Sequence, residues 1–196
     1  MERLSKIKRE TKETEIFISL NIDGSGKSQI STGIGFFDHM LESFAKHGLF
    51  DIKLSCKGDL HVDQHHTVED VGIALGQSFE KALGKKLGIQ RTGYFVFPMD
   101  EALAVVSVDL SGRAFLQFDC NFTRQFVGEF DTDILEDFFD GFAKNGKANV
   151  VVRMPFGRSD HHKIEAVFKA FGKAMKQACS IDKRAKDKIP STKGIL

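Results

Sequence analysis

The chain has 196 residues, enough to bury a core as one domain or as two small ones. Its formal net charge of +1 argues against the clustered basic excess of a nucleic-acid-binding surface. No segment reaches the roughly 18 apolar residues of a membrane span. The cysteines at 56, 120 and 179 lack C-x-x-C spacing. We therefore expect reduced thiols in a cytoplasmic protein, with no membrane or nucleic-acid partner.

The first half of the chain reads as strand, strand, helix, strand, helix. Alternating or continuous apolar runs predict the strands, and apolar residues at three- and four-residue spacing predict the helices. Gly48 stands where a left-handed residue would end the first helix. The predicted elements are strands over 15–22, 29–32 and 50–56, a helix over 36–46 and a helix over 65–82.

The second half repeats this order. Its apolar strands and its two amphipathic segments follow the loop KKLGIQRTG, which separates the halves. We therefore predict an α+β protein of two β-β-α-β-α halves, residues 1–90 and 91–196, packed as one globular body. The second-half elements are strands over 102–110, 114–119 and 149–154, a helix over 131–144 and a helix over 161–178.

The repeat is visible in the letters themselves. HHTVEDVGIALGQSFEKA at 65–82 aligns with HHKIEAVFKAFGKAMKQA at 161–178 at an offset of 96. The match extends outward: Glu13 falls on Glu101 at an offset of 88, and FAKHG falls on FAKNG at an offset of 98, which places His39 on Asp137. Such agreement indicates a duplicated unit.

The repeated HHxxE phrase has the chemistry of a metal site. At 3.6 residues per turn the first His and the Glu share one helix face, while the second His is turned away by about 100°. Imidazoles and carboxylates suit manganese, iron or zinc. A single copy is equally well explained as a polar helix start with a solvated Glu, but repetition in one register favours ligands. The residues concerned are His65, His66, Glu69, His161, His162 and Glu165.

In these motifs and the segments around them, the chain resembles the imidazoleglycerol-phosphate dehydratases of histidine biosynthesis. The resemblance rests on STGIGFFDHMLESFAKHGLFD, GDLHVDQHHTVEDVGIALG, FPMDEALAVVSVDLSGR, SDHHKIEAVFKAFGKAM and the terminal IPSTKG. It implies a ribosomal protein S5 domain 2-like fold, with helices sandwiched between two mainly antiparallel sheets. It also implies two Mn²⁺ per active site and a homo-oligomer of 24 subunits with sites at subunit contacts.

The resemblance further implies roles for particular residues. Glu13 would be a general acid/base that contacts the substrate. The implied metal ligands are His39, His65, His66, Glu69, His161, His162 and Glu165; the catalytic set is Glu13, His39, His65, Glu69, His161 and Glu165; and the phosphate contacts are Arg91, Arg113, Lys169, Ser191 and Lys193.

Three positions depart from the family pattern. Asp137 stands where the family has His or Glu, so it could ligate, act through water or only orient a ligand. Gly35 replaces a common Pro, and Gln64 replaces a usual Asp before the first His pair. The last two changes remove no ligand.

The implied reaction converts D-erythro-imidazole glycerol phosphate to imidazole acetol phosphate and water. Hydroxide leaves poorly and the neighbouring carbon is barely acidic, so a metal-bound imidazolate would expel the hydroxyl and give a diazafulvene-like intermediate. Two rival interpretations are a dinuclear metallohydrolase, which would release phosphate, and a metal-storage shell, which would not need the Arg and Lys set.

Overall fold

A computed structural model describes residues 3–185 and 187–194, which form ten strands and four helices. The outermost residues of the predicted halves (1, 2, 195 and 196) and Lys186 of the tail lie outside this range. The strands are β1 (Leu4–Glu10), β2 (Thr14–Asn21), β3 (Ser28–Ser31), β4 (Asp51–Gly58), β5 (Thr92–Met99), β6 (Ala102–Asp109), β7 (Phe115–Asp119), β8 (Phe126–Val127), β9 (Phe130–Asp131) and β10 (Asn149–Phe156). The helices are α1 (Gly35–Gly48), α2 (His65–Leu83), α3 (Leu135–Gly146) and α4 (Asp160–Cys179).

Each half of the chain builds one sheet. The spatial order is β1-β2-β4-β3 in the first sheet and β5-β6-β10-β7 in the second. In both sheets the first three strands pair antiparallel, and the last strand pairs parallel with its neighbour. β8 and β9 form a small separate hairpin. The predicted mainly antiparallel sheets are confirmed.

Apart from the β8–β9 hairpin, each half has one strand more than the β-β-α-β-α order predicts. The additional strands are β1 and β5, and both lie at a sheet edge. The inward side of β1 carries Ser5 and Arg9, so the strand lacks an apolar alternation. In β5 the apolar residues Tyr94, Phe95 and Val96 follow one another and fall on both faces, which also hides the period of two. Without the β8–β9 hairpin, the observed order is β-β-β-α-β-α in both halves.

The helices lie between the two sheets, as predicted. α1 and α2 pack on the first sheet and α3 and α4 on the second, while α1 pairs with α4 and α2 with α3. Each helix pair therefore joins one half of the chain to the other. Phenylalanine rings fill these contacts; the rings of Phe44 and Phe171, for example, stack with centroids 4.9 Å apart. In the described ranges no helix is long and apolar enough to cross a membrane.

Equivalent glycines allow both helix pairs to approach closely. A Cβ on Gly172 of α4 would lie 2.6 Å from the carbonyl oxygen of Phe44 in α1, and a Cβ on Gly76 of α2 would lie 2.6 Å from that of Phe142 in α3. Gly76 and Gly172 are equivalent in the repeat, as are Phe44 and Phe142. The two halves therefore share equivalent helix crossings as well as the repeated HHxxE motif.

The predicted left-handed cap at Gly48 is wrong by one residue. Leu49 has the left-handed conformation, with φ 57°, and Gly48 is the last residue of α1. A Cβ on Gly48 would lie 2.3 Å from the ring of Phe50. Glycine is needed there for space next to a buried ring, and not for its backbone freedom.

Candidate active site

The first two turns of α1 and α4 bring three possible metal ligands together. His39 Nε2 lies 3.8 Å from Glu165 Oε1, and His161 Nε2 lies 3.3 Å from Glu165 Oε2. One ligand atom from each of the three residues lies within 4.8 Å of the others. Two imidazole nitrogens and a carboxylate oxygen at this spacing fit a first-row divalent ion. We call this set the His39 cluster.

Glu165 is the buried member of the His39 cluster. Burial opposes ionisation of its carboxyl group, but the hydrogen bond and charge of Lys169, together with the charges of His39 and His161, outweigh burial, and the pKa of Glu165 is lowered. Lys169 Nζ lies 2.8 Å from Glu165 Oε1, one helical turn away. The sequence predicts a phosphate contact for Lys169, whereas the structure places its ammonium group against this carboxylate.

The first two turns of α2 and α3 carry the residues at the equivalent repeat positions, which we call the His65 cluster. His65 Nε2 lies 3.7 Å from Glu69 Oε2, and His65 Nδ1 lies 3.5 Å from Asp137 Oδ2. The two carboxylates therefore face opposite edges of one imidazole. Asp137 has the repeat position of His39, but His39 contacts the glutamate of its cluster, whereas Asp137 contacts the histidine at the nitrogen remote from Glu69.

The second histidine of each pair points elsewhere. The rings of His65 and His66 are 6.1 Å apart and nearly perpendicular, and those of His161 and His162 are arranged alike. His66 Nδ1 lies 3.1 Å from Asp59 Oδ2, and its Nε2 lies 3.7 Å from Glu13 Oε1. The hydrogen bond with Asp59 raises the pKa of His66.

His162 is held by a residue that the sequence analysis did not single out. Its Nδ1 lies 2.8 Å from Glu101 Oε2, and this hydrogen bond, with one from the Ser159 amide, lowers the pKa of Glu101 to about 2. The repeat alignment contained the signal, because Glu101 is the equivalent of Glu13. Asp59 was also missed, and its place in a short Gly-Asp turn gives no comparable signal.

Four of the predicted phosphate contacts lie in the second half at the end opposite to the His39 cluster. Arg91 donates to both carboxylate oxygens of Asp109, at 2.7 and 2.9 Å, and to the carbonyl oxygen of Pro190. Arg91 also donates its amide to the carbonyl oxygen of Ala178, near the end of α4. At 1.5 Å per residue, Ala178 is about 26 Å along α4 from His161. The group at this end is Arg91, Arg113, Ser191 and Lys193; Arg113 follows the turn after β6 and is exposed, and Ser191 and Lys193 belong to the tail.

Gln64, one of the departures, has a structural role. Its side-chain amide donates to the carbonyl oxygen of Glu129, and its oxygen accepts from the amide of Asp131. These contacts tie the start of α2 to the β8–β9 hairpin. The equivalent residue in the second half, Asp160, instead accepts from the amides of Thr123 and Arg124.

Comparison with known proteins identifies the family. The family model described as imidazoleglycerol-phosphate dehydratase matches residues 32–175. The dehydratase of Koribacter versatilis is 57% identical over 194 residues, covering 99% of this chain and 100% of the relative. The chain belongs to the imidazoleglycerol-phosphate dehydratase family. Its members are hydro-lyases, and their reaction, the dehydration of imidazoleglycerol phosphate, is a step of histidine biosynthesis.

Other members of the family agree in sequence and in fold. The imidazoleglycerol-phosphate dehydratase of Clostridium botulinum is 52% identical over 194 residues, covering 99% of this chain and 98% of its own. The solved structure from Staphylococcus aureus superposes with a TM-score of 0.83 at 35% identity, over 91% of this chain and 99% of that one. The structure from Pyrococcus furiosus gives 0.82 at 34% identity, over 97% and 100%. The resemblance predicted from the sequence, and the dehydratase class, are confirmed.

Proposed function

We propose that this chain dehydrates D-erythro-imidazole glycerol phosphate to imidazole acetol phosphate in a metal-dependent reaction. The observation that carries the proposal is the paired geometry of the His39 and His65 clusters. Each cluster combines a His/Glu pair on one helix with a third residue from the other half of the chain. A substrate with two ring nitrogens suits a protein with two such clusters.

The proposed ligands of two Mn²⁺ ions are those that the family resemblance implies. The donor set of the His39 cluster, two imidazoles and one carboxylate, fits such an ion. A bound divalent ion would act as a Lewis acid on the imidazole ring of the substrate and so ease loss of the neighbouring hydroxyl group. The full proposed set is His39, His65, His66, Glu69, His161, His162 and Glu165.

Glu13 is the proposed general acid/base. Its side chain is 52% exposed and its carboxylate lies 3.7 Å from His66 Nε2, so it borders the ligand set without being buried in it. A carboxylate there can take the proton from the substrate carbon or return one to the leaving hydroxyl group. The intermediate predicted from the sequence stays a prediction.

The separation of the phosphate contacts supports sites shared between copies of the chain. The about 26 Å rise from His161 to Ala178 is far longer than a substrate made of one imidazole, three carbons and a phosphate. Residues of one copy would therefore meet the imidazole, while Arg91, Arg113, Ser191 and Lys193 of another would meet the phosphate. The Lys169 contact, the number of 24 subunits and the cytoplasmic location stay predictions.

The outer face of the second sheet also supports association of copies. Tyr94, Val96 and Phe115 are exposed there, at 67%, 47% and 55%. Apolar side chains in such a group are typical of protein interfaces. The outer face of β1 in the first sheet presents Leu4 together with the charged side chains of Lys6 and Lys8.

The test is turnover by the purified protein after its metal has been stripped with a chelator. We expect no ketone product without metal and full activity once Mn²⁺ is added, with the phosphate retained on the product. Release of inorganic phosphate would instead indicate a hydrolase. Tight binding of two metals with no reaction on the substrate would contradict the proposal and favour metal storage.

A further inference from the structure

His66 and His162 are equivalent in the repeat, but different elements hold them. The carboxylate at Nδ1 of His66 is Asp59, which follows β4. The position equivalent to Asp59 in the second half is Gly157, at an offset of 98, and it has no side chain to offer. Glu101, between β5 and β6, takes the place at Nδ1 of His162. In the second half, Glu101 therefore has the role that Asp59 has in the first.

Both carboxylate oxygens of Glu101 are engaged. Oε2 faces His162 Nδ1 at 2.8 Å, and Oε1 accepts from the amide of Ser159 at 2.8 Å. Ser159 is the N-cap residue of α4, so Glu101 ties the β5–β6 turn to the start of the helix that carries His162. The His162 side chain is 31% exposed, which leaves part of the ring open.

We propose that Glu101 is a positioning residue that fixes the tautomer of His162. An ionised carboxylate only accepts hydrogen bonds, so the neutral imidazole must carry its proton on Nδ1 and donate it to Glu101. The lone pair is then on Nε2, where it is free to bind a metal ion. This inference rests on the proposed function, in which His162 is a ligand.

The rival explanation is that Asp100, Glu101 and His162 bind a cation among themselves. Their ligand atoms lie within 4.8 Å of one another. Asp100 is 3.9 Å from His162 Nδ1 and its side chain is 77% exposed, whereas each oxygen of Glu101 already has a nitrogen within hydrogen-bond distance. A cation there would have to displace these hydrogen bonds, which favours the role of anchor.

Two substitutions of Glu101 distinguish control of the His162 tautomer from a purely structural contact. In Glu101→Gln the amide oxygen can still accept from Ser159, while the amide nitrogen faces His162 Nδ1 and donates to it. The imidazole proton then moves to Nε2 and blocks the ligand position. In Glu101→Ala water replaces the carboxylate and either tautomer is allowed. We expect Glu101→Gln to lower Mn²⁺ affinity about 10–100-fold, and Glu101→Ala to lower it less.

The measurement is Mn²⁺ binding to the metal-free protein by calorimetry, with thermal unfolding followed in parallel. Ser159→Ala is the control for the helix start, and we expect it to change stability but not affinity. The anchor role fails if Glu101→Gln binds Mn²⁺ like the unchanged chain, or if Glu101→Ala is the weaker binder of the two. An equal loss in Asp100→Asn would establish the rival cation site instead.

His162→Ala distinguishes a failure of this inference from a failure of the proposed ligand set. If His162→Ala weakens Mn²⁺ binding and Glu101→Gln does not, the ligand set stands and the anchor role is wrong. If His162→Ala binds Mn²⁺ normally, His162 is not a ligand and both statements fall.

Discussion

The two halves of the chain have kept their framework and diverged in their site residues. Each half has the same strand order, the same sheet topology and an equivalent glycine at its helix crossing. At equivalent positions, however, His39 corresponds to Asp137, and the paired glutamates Glu13 and Glu101 make different contacts. In the first half the glutamate is exposed, and in the second it is bonded to His162 and Ser159. The two halves therefore share a symmetric frame in which one glutamate is exposed and the other is held by hydrogen bonds.

The largest expected effect comes from Glu13, the exposed glutamate of the pair. Glu13→Gln removes the free carboxylate, so we expect turnover to fall about 10²–10⁴-fold, the usual worth of a general acid or base. Because Glu13 is not a proposed ligand, Mn²⁺ affinity should stay as it was. The assay is steady-state formation of the ketone, together with the metal content of the same sample. A Glu13→Gln variant with full turnover would remove Glu13 from the mechanism.

A second comparison sets His39 against Asp137. His39 Nε2 belongs to a compact set of ligand atoms, whereas Asp137 faces the opposite edge of His65 from Glu69. We expect Asp137→Ala to weaken Mn²⁺ binding about 10–100-fold, as loss of an orienting partner does, and His39→Ala to weaken it more. Calorimetric titration of metal-free samples measures both. Equal losses in the two variants would mean that Asp137 is a direct ligand.

Part of the site and of the fold follows from the sequence alone. The His/Glu faces follow from helix geometry alone, since the paired residues are one turn apart. The His39 cluster joins helices from different halves, so its members were found through the repeat and the family resemblance. Glu101 was missed because its contact with His162 spans 61 residues and belongs to tertiary structure. The edge strands β1 and β5 were missed because neither shows an apolar alternation.

Substitution of the glycine at either helix crossing should destabilise the protein by a similar amount. Gly172→Ala places a methyl group 2.6 Å from the carbonyl oxygen of Phe44, so α1 and α4 must separate, and we expect a loss of about 1–3 kcal/mol in the free energy of unfolding. Gly76→Ala should cost a similar amount through Phe142. Denaturant unfolding of the metal-free protein measures both.

Gly146→Ala is the matched control for these crossings. A Cβ on Gly146 of α3 would meet its nearest neighbour, Gly76 Cα, at 3.5 Å, which is ordinary van der Waals contact. We expect this variant to stay within about 0.5 kcal/mol of the unchanged chain, as most substitutions away from tight packing do. A loss in Gly146→Ala as large as in Gly172→Ala would mean that the backbone approach is not what limits these crossings.

The smallest expected effect concerns how the middle helix of each half begins. Gly35 is the first residue of α1, it follows the extended residue Ile34, and a Cβ there would have no neighbour within 4 Å in the described part of the chain. Proline suits this position, so we expect Gly35→Pro to stabilise the protein by about 0.4–1 kcal/mol. The equivalent Asp133 donates its amide to Asp131 Oδ1 at 3.1 Å, and Asp133→Pro would lose that bond and destabilise. Thermal unfolding measures both variants. If the chain starts the two helices differently, the unfolding temperature should rise in Gly35→Pro and fall in Asp133→Pro. Shifts of the same sign would contradict this.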